Sequence, residues 1–86
     1  MYVNEKECAK AGKNAETIEQ LARHFSSAGR RARKLGVYVF GGSGGGTIRC
    51  RDADGGRPLI LANIDGEFDG GDGASRPDAE GLERGE

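Results

Sequence analysis

Two arginines one residue apart, Arg49 and Arg51, occupy the polar positions of an alternating segment, Thr47–Arg51, whose other side carries Ile48 and Cys50. Directly before them runs Gly41-Gly42-Ser43-Gly44-Gly45-Gly46. Guanidinium groups make charge-assisted, often bidentate bonds to phosphate and carboxylate. Glycine lets backbone N–H groups turn toward an anion. With Tyr38 or Phe40 beside them on a neighbouring strand, the candidate ligand-binding residues are Arg49, Arg51, Gly42, Ser43, Gly44 and Tyr38, and the ligand is a nucleotide or another small phosphate-bearing molecule. The glycine run does not meet the specific phosphate-loop patterns. No Lys follows it, and it joins two strands instead of opening a helix. A flexible hairpin loop is its plain reading.

A second basic group lies on a helix. Arg23, Ser27, Arg30 and Lys34 recur at helical spacing, flanked by His24 and Arg31. Arg23, Arg30, Arg31 and Lys34 are the candidate contacts to nucleic acid or to an acidic protein. The same row also reads as a solvated face, with its last cations complementing the helix dipole. It has no interleaved aromatics or amides, so base-specific readout is not expected. Charge is split along the 86 residues. Residues 1–51 hold ten cations against four Glu, a net of +6, and residues 52–86 hold three Arg against ten acids, a net of −7. Such a chain can offer a cationic surface to an anionic partner and an acidic tail that competes for it.

Other chemistries are poorly served. His24, the only histidine, lies beside Arg23, and no local pattern joins it to Cys8, Cys50 or a serine. No catalytic residue is assigned. Cys8 and Cys50 lack zinc-ligand spacing and read as small buried hydrophobes. Asp65–Asp72 has oxygen donors at the first, third and fifth places of a calcium loop and Gly at the sixth, but Arg76 stands where the closing Glu belongs, so a turn with Phe68 tucked against the core is expected. No metal and no cofactor is assigned.

The elements that must position these residues follow from periodicity. Asn4 and Glu7 have the form of a capping box, with Val3 and Cys8 as its hydrophobic staple, opening a short helix to Gly12. Asn14 is a second N-cap. Ile18, Leu21, Ala22, Phe25, Ala28, Ala32 and Leu35 form one apolar stripe, which predicts a helix from Asn14 to Leu35 closed by Gly36. Gly29 either breaks that helix or lets another backbone approach. Three strands follow: Val37–Phe40, Thr47–Arg51 and Leu59–Ile64, with an Asp/Gly turn at 52–56.

The expected fold class is α+β: one main amphipathic helix packed on a three-stranded antiparallel sheet, the order being helix and then meander. Residues 1–68 form the single small domain, and 69–86 a flexible acidic glycine-rich tail. A folded part near 60 residues buries only about 60% of its unfolded surface, and the third strand is apolar on both faces. A homo-oligomer, most simply a dimer, is therefore expected. No segment reads as a signal peptide or membrane span, so the expected location is cytoplasmic.

In general style, being short, glycine-rich and charge-segregated, the chain resembles small accessory proteins of phages and other mobile elements. That resemblance implies binding or inhibition in preference to catalysis. The function expected is sequestering or blocking of an anionic partner, either a phosphate-bearing ligand or nucleic acid. The alternative is a protein–protein inhibitor acting on a target protein through an acidic or apolar surface.

Overall fold

Two glycines with positive φ end the two helices and set the layout. The structure is a computed structural model, and it describes residues 3–42, 44–70 and 73–85. Helix α1 spans Glu5–Ala11 and helix α2 spans Ala15–Lys34. Gly12 (φ 70°) and Gly36 (φ 75°) follow them in the left-handed region. After α1, the N–H groups of Gly12 and Lys13 donate to the carbonyls of Ala9 and Cys8. After α2, those of Gly36 and Val37 donate to Arg33 and Ala32. Both closures are Schellman motifs, and both need a residue without a Cβ penalty at the turn.

The N-terminal ends differ from each other. Asn14 caps α2 as expected, its Oδ1 accepting the Thr17 N–H at 3.0 Å. Asn4 holds the N-cap position of α1 but makes no side-chain cap bond. Glu7 does not reach back to close a capping box. Its Oε2 accepts the backbone N–H of Glu83 at 2.6 Å. A carboxylate can complete only the geometry its rotamer reaches, and here a distant donor takes it.

Three strands follow α2: β1 Tyr38–Gly42, β2 Gly45–Cys50 and β3 Leu59–Ile64. They form an antiparallel sheet in the order β1-β2-β3. The α+β class, with helix before meander, is the expected one. The glycine run is not the flexible loop that composition suggests. Gly41 pairs with Gly46 and Gly42 with Gly45, so the ladder runs through the glycines to that last pair. Gly44, in the turn before β2, has a φ of 82°, a conformation that favours glycine.

Phe68 explains the remaining glycines. A Cβ at Gly46 would stand 2.9 Å from the Phe68 ring, and one at Gly41 would stand 2.8 Å from the Phe68 Cβ. Gly66 lies against the same ring. The expected tucking of Phe68 is therefore onto a bare glycine patch, where the ring replaces the side chains the strands lack.

Two short strands lie in the segment from 69 onward for which composition predicts no regular structure. These are β4 Ser75–Pro77 and β5 Glu83–Gly85, paired antiparallel. Their turn is built by Asp78, whose side chain accepts the N–H groups of Glu80 and Leu82. The chain divides into two compact units, Met1–Ala28 with Gly73–Glu86, and Gly29–Asp72. No helix among the described residues is long and apolar enough to cross a membrane.

Gly29 lies inside α2, which neither stops nor bends out of helical geometry there, and a Cβ at Gly29 would meet nothing within 4 Å. Gly29→Ala should therefore raise stability by about 0.5–1 kcal/mol in urea unfolding. A neutral or destabilising result would show that the helix needs to open at this residue. Gly46→Ala should cost about 1–3 kcal/mol through overpacking. The same substitution in a Phe68→Ala background should cost far less, and equal penalties in the two backgrounds would refute the ring contact.

Candidate functional site

The register of β1 and β2 decides which sequence candidates meet. Tyr38 pairs with Arg49, and Phe40 with Thr47. Paired residues share a face of a sheet, and so do residues two apart on one strand. Tyr38, Phe40, Thr47 and Arg49 thus stand on one face, while Val39, Ile48, Gly41 and Gly46 belong to the other. Phe68 covers the glycine part of that second face.

Arg49 is held in place by its neighbours. Its guanidinium carbon lies 4.3 Å from the centroid of the Phe40 ring. A cation over an aromatic face is attracted by the ring quadrupole, by about 0.5–1 kcal/mol where it is exposed. Arg49 Nε donates to Thr47 Oγ1 at 2.8 Å. Thr47 Oγ1 in turn donates to the Phe40 carbonyl at 3.5 Å, a long contact. With the Nε proton used by threonine and the plane lying over Phe40, the two Nη groups are the donors left for recognition. No ion pair joins Arg49 to a carboxylate among the described residues.

The third strand contributes through an irregularity. Between Ile48 and Arg49 the β2–β3 register shifts, so that Thr47 pairs with Asn63 but Arg49 pairs with Ile60. Leu61 is the extra residue of this bulge. Asn63 and Ile60, three apart, thereby reach the face of Thr47 and Arg49. Phe40, Gly42, Gly45, Gly46, Thr47, Arg49 and Asn63 line an open concavity of about 290 Å³. Gly42 and Gly45 leave it open, because no side chain fills the end of the ladder there.

The expected ligand set is partly assembled. Arg49 and Gly42 line the concavity, and Tyr38 is the cross-strand partner of Arg49. Gly44 is in the turn. Ser43 lies outside the described residues. Arg51 follows the end of β2 at Cys50, in exposed coil, and is not among the residues lining the concavity. Asp52 begins the turn that ends the strand, its Oδ1 accepting the Asp54 N–H. Thr47 and Asn63 were missed. Thr47 has a sequence signal, as the only hydroxyl at the polar positions of that strand. Asn63 has none, because the bulge that aims it is not readable from alternation.

The helical row is less uniform than its spacing suggests. Arg23 is paired with Glu19 at 3.5 Å, one turn away. Arg30, Arg31 and Lys34 are exposed and belong to the other unit. The charge split along the sequence is also much reduced within each unit. Met1–Ala28 with Gly73–Glu86 holds six cations and eight acids, and Gly29–Asp72 holds seven cations and six acids. Neither unit therefore carries a large net charge of one sign. Of the cysteines, Cys8 is buried, whereas Cys50 is half-buried with its thiol 3.7 Å from the Gly36 carbonyl. No group of His, Cys, Asp and Glu able to hold a metal is present among the described residues, and the calcium-like segment runs into positions 71 and 72, outside them. Comparison with protein-family models, curated proteins and solved structures finds no match to the chain.

A second charged constellation, with no local sequence signal, is the β4–β5 turn. Arg84 Nε donates to Asp78 Oδ2 at 2.8 Å. This bond, together with the Leu82 N–H, holds the Asp78 carboxyl below its ordinary value. A depressed carboxyl contributes stability that is complete above its unfolded value of 3.8 and is lost as pH falls through the lower folded value. NMR titration of Asp78 should give a midpoint below 3.8, with the Leu82 amide signal moving in step. Arg84→Ala should return the midpoint toward the ordinary value. An unshifted midpoint in the parent chain would show that the turn is not closed by this pair.

Proposed function

We propose that this chain is a small, non-catalytic binding protein that sequesters or blocks an anionic partner, with the Arg49 face of the sheet as its contact. The observation that carries the reading is the fixed guanidinium: Arg49 lies over Phe40, is anchored by Thr47, and stands at the mouth of an open concavity lined also by Asn63. A preoriented arginine loses less side-chain freedom on binding than a free one, so more of each hydrogen bond appears as affinity. The Asn63 amide adds a donor and an acceptor beside it. Among the described residues the lining has no carboxylate to repel an anion.

The shape and chemistry suit a phosphate-bearing small ligand such as a nucleotide, with one phosphate or planar anionic group facing the Nη pair. Nucleic acid is the extended version of the same chemistry. It would add the helix cations Arg30, Arg31 and Lys34, and would show a steep loss of affinity with salt.

The test is calorimetric titration of the protein with nucleoside mono- and triphosphates and with a short single-stranded oligonucleotide. Arg49→Ala should weaken the ligand at least about tenfold, the loss of a charge-assisted bond. Arg51→Ala, outside the strand, should change affinity less than about threefold. If Arg30→Ala with Lys34→Ala matches the Arg49→Ala effect and salt weakens binding steeply, the partner is a polyanion. If no variant alters binding of any of these anions, the reading fails, and a target protein contacting the exposed sheet becomes the alternative.

A further inference from the structure

β3 is the last strand in the order β1-β2-β3, so one side of its backbone has no ladder partner in the sheet. Edge strands that resist pairing carry Lys, Pro or a charge within the strand. Leu59-Ile60-Leu61-Ala62-Asn63-Ile64 has none of these. Leu59, Ile60 and Leu61 are 50%, 56% and 54% exposed. The opposite edge is different. Phe68, Asp69 and Gly70 lie against Gly41 and Gly42 of β1, so part of that strand is already covered. Cys8 is the only buried hydrophobic side chain among the described residues, and it lies in the other unit. The sheet thus has a half-exposed apolar strand with an open backbone edge and little core of its own.

We propose that β3 pairs antiparallel with β3 of a second copy of this chain, about a two-fold axis through Leu61 or Ala62, making one continuous six-stranded sheet. Charge at the strand ends selects this occupant. Arg57 precedes β3 by two residues, and Asp65 and Glu67 follow it by one and three. A two-fold axis at Leu61 sets Arg57 opposite the partner's Asp65, and an axis at Ala62 sets it opposite the partner's Glu67. Each register forms its ion pair twice, because the interface is isologous. Parallel pairing would instead put Arg57 against its own copy. Exposed ion pairs add little affinity, but they discriminate between orientations. Affinity comes from ladder bonds and from the apolar side chains that the second strand covers. This pairing does not depend on the anion reading.

Sedimentation equilibrium of the full chain at tens of micromolar tests it. The parent protein should sediment at twice its 9.1 kDa chain mass. Leu61→Lys places a charge in the edge and should give a monomer with an unchanged far-UV circular dichroism spectrum. Arg57→Glu should weaken the dimer about fivefold, and adding Asp65→Arg and Glu67→Arg in the same chain should restore it. A monomeric parent protein overturns the proposal. A dimer untouched by Leu61→Lys overturns the edge. Should Leu61→Lys fail to fold, the exposed charge variants decide, and a dimer indifferent to Arg57→Glu and to its reversal overturns the register.

Discussion

The contact between Phe68 and the glycine ladder sets conditions that much of the sheet has to meet. The ring returns after β3 to lie on Gly41, Gly46 and Gly66. A Cβ at Gly41 or Gly46 would collide with it, so the residue type at those places is dictated by a neighbour more than twenty positions away in sequence. The flanking pair, Gly42 and Gly45, faces the other way, where a Cβ at Gly42 would stand 3.3 Å from the Phe40 ring and one at Gly45 would meet nothing within 4 Å, and its missing side chains leave the concavity beside Arg49. One glycine-rich hairpin end therefore serves two faces. It accepts an aromatic cover on one and keeps a recess on the other, and the recess places backbone close to a fixed guanidinium.

The arrangement of charge follows a similar logic. Along the chain the cations come first and the acids last, yet each compact unit mixes both kinds. The acidic end supplies a hairpin whose Glu83 N–H meets Glu7 of α1 within one unit. The arginines near the sheet have carboxylates of the 52–72 segment in their own unit. Net charge therefore distinguishes neither unit, and what sets Arg49 apart from the other cations is how its side chain is held, by Thr47 and Phe40.

Helix and strand identity were legible because their causes are local. The apolar stripe of α2, the glycines after both helices and the Asn14 cap act within a turn of where they stand in sequence. The three strands were visible as β-branched and apolar runs. What was not legible depends on distant partners. The glycine run looked like a loop because nothing nearby shows that Phe68 will sit on it. Glu7 looked like half of a capping box because Glu83 is far along the chain. The β4–β5 hairpin lies in a segment of poor strand formers, and it is organised by Asp78 and Arg84 instead of by apolar alternation. In the site, Arg49 follows from the alternation of its strand, Tyr38 from the strand before it and Gly42 from the glycine run. Arg51 falls one residue past the end of the strand at Cys50, a boundary that alternation does not mark, and Asn63 reaches the face only through a register shift.

That register shift has a bearing on how the sequence can change. With Leu61 as an extra residue, Leu59 and Ile60 are out of phase with the alternation that governs Ala62, Asn63 and Ile64. A one-residue deletion at Leu61 would remove the bulge and leave a plain alternation, with Ile60 still opposite Arg49 and Asn63 still opposite Thr47. Length can therefore change by one residue at this place without exchanging the faces of the strand, because the bulge already absorbs the difference in phase. A sequence one residue shorter here would keep the same neighbours around the arginine and would lose only the local kink.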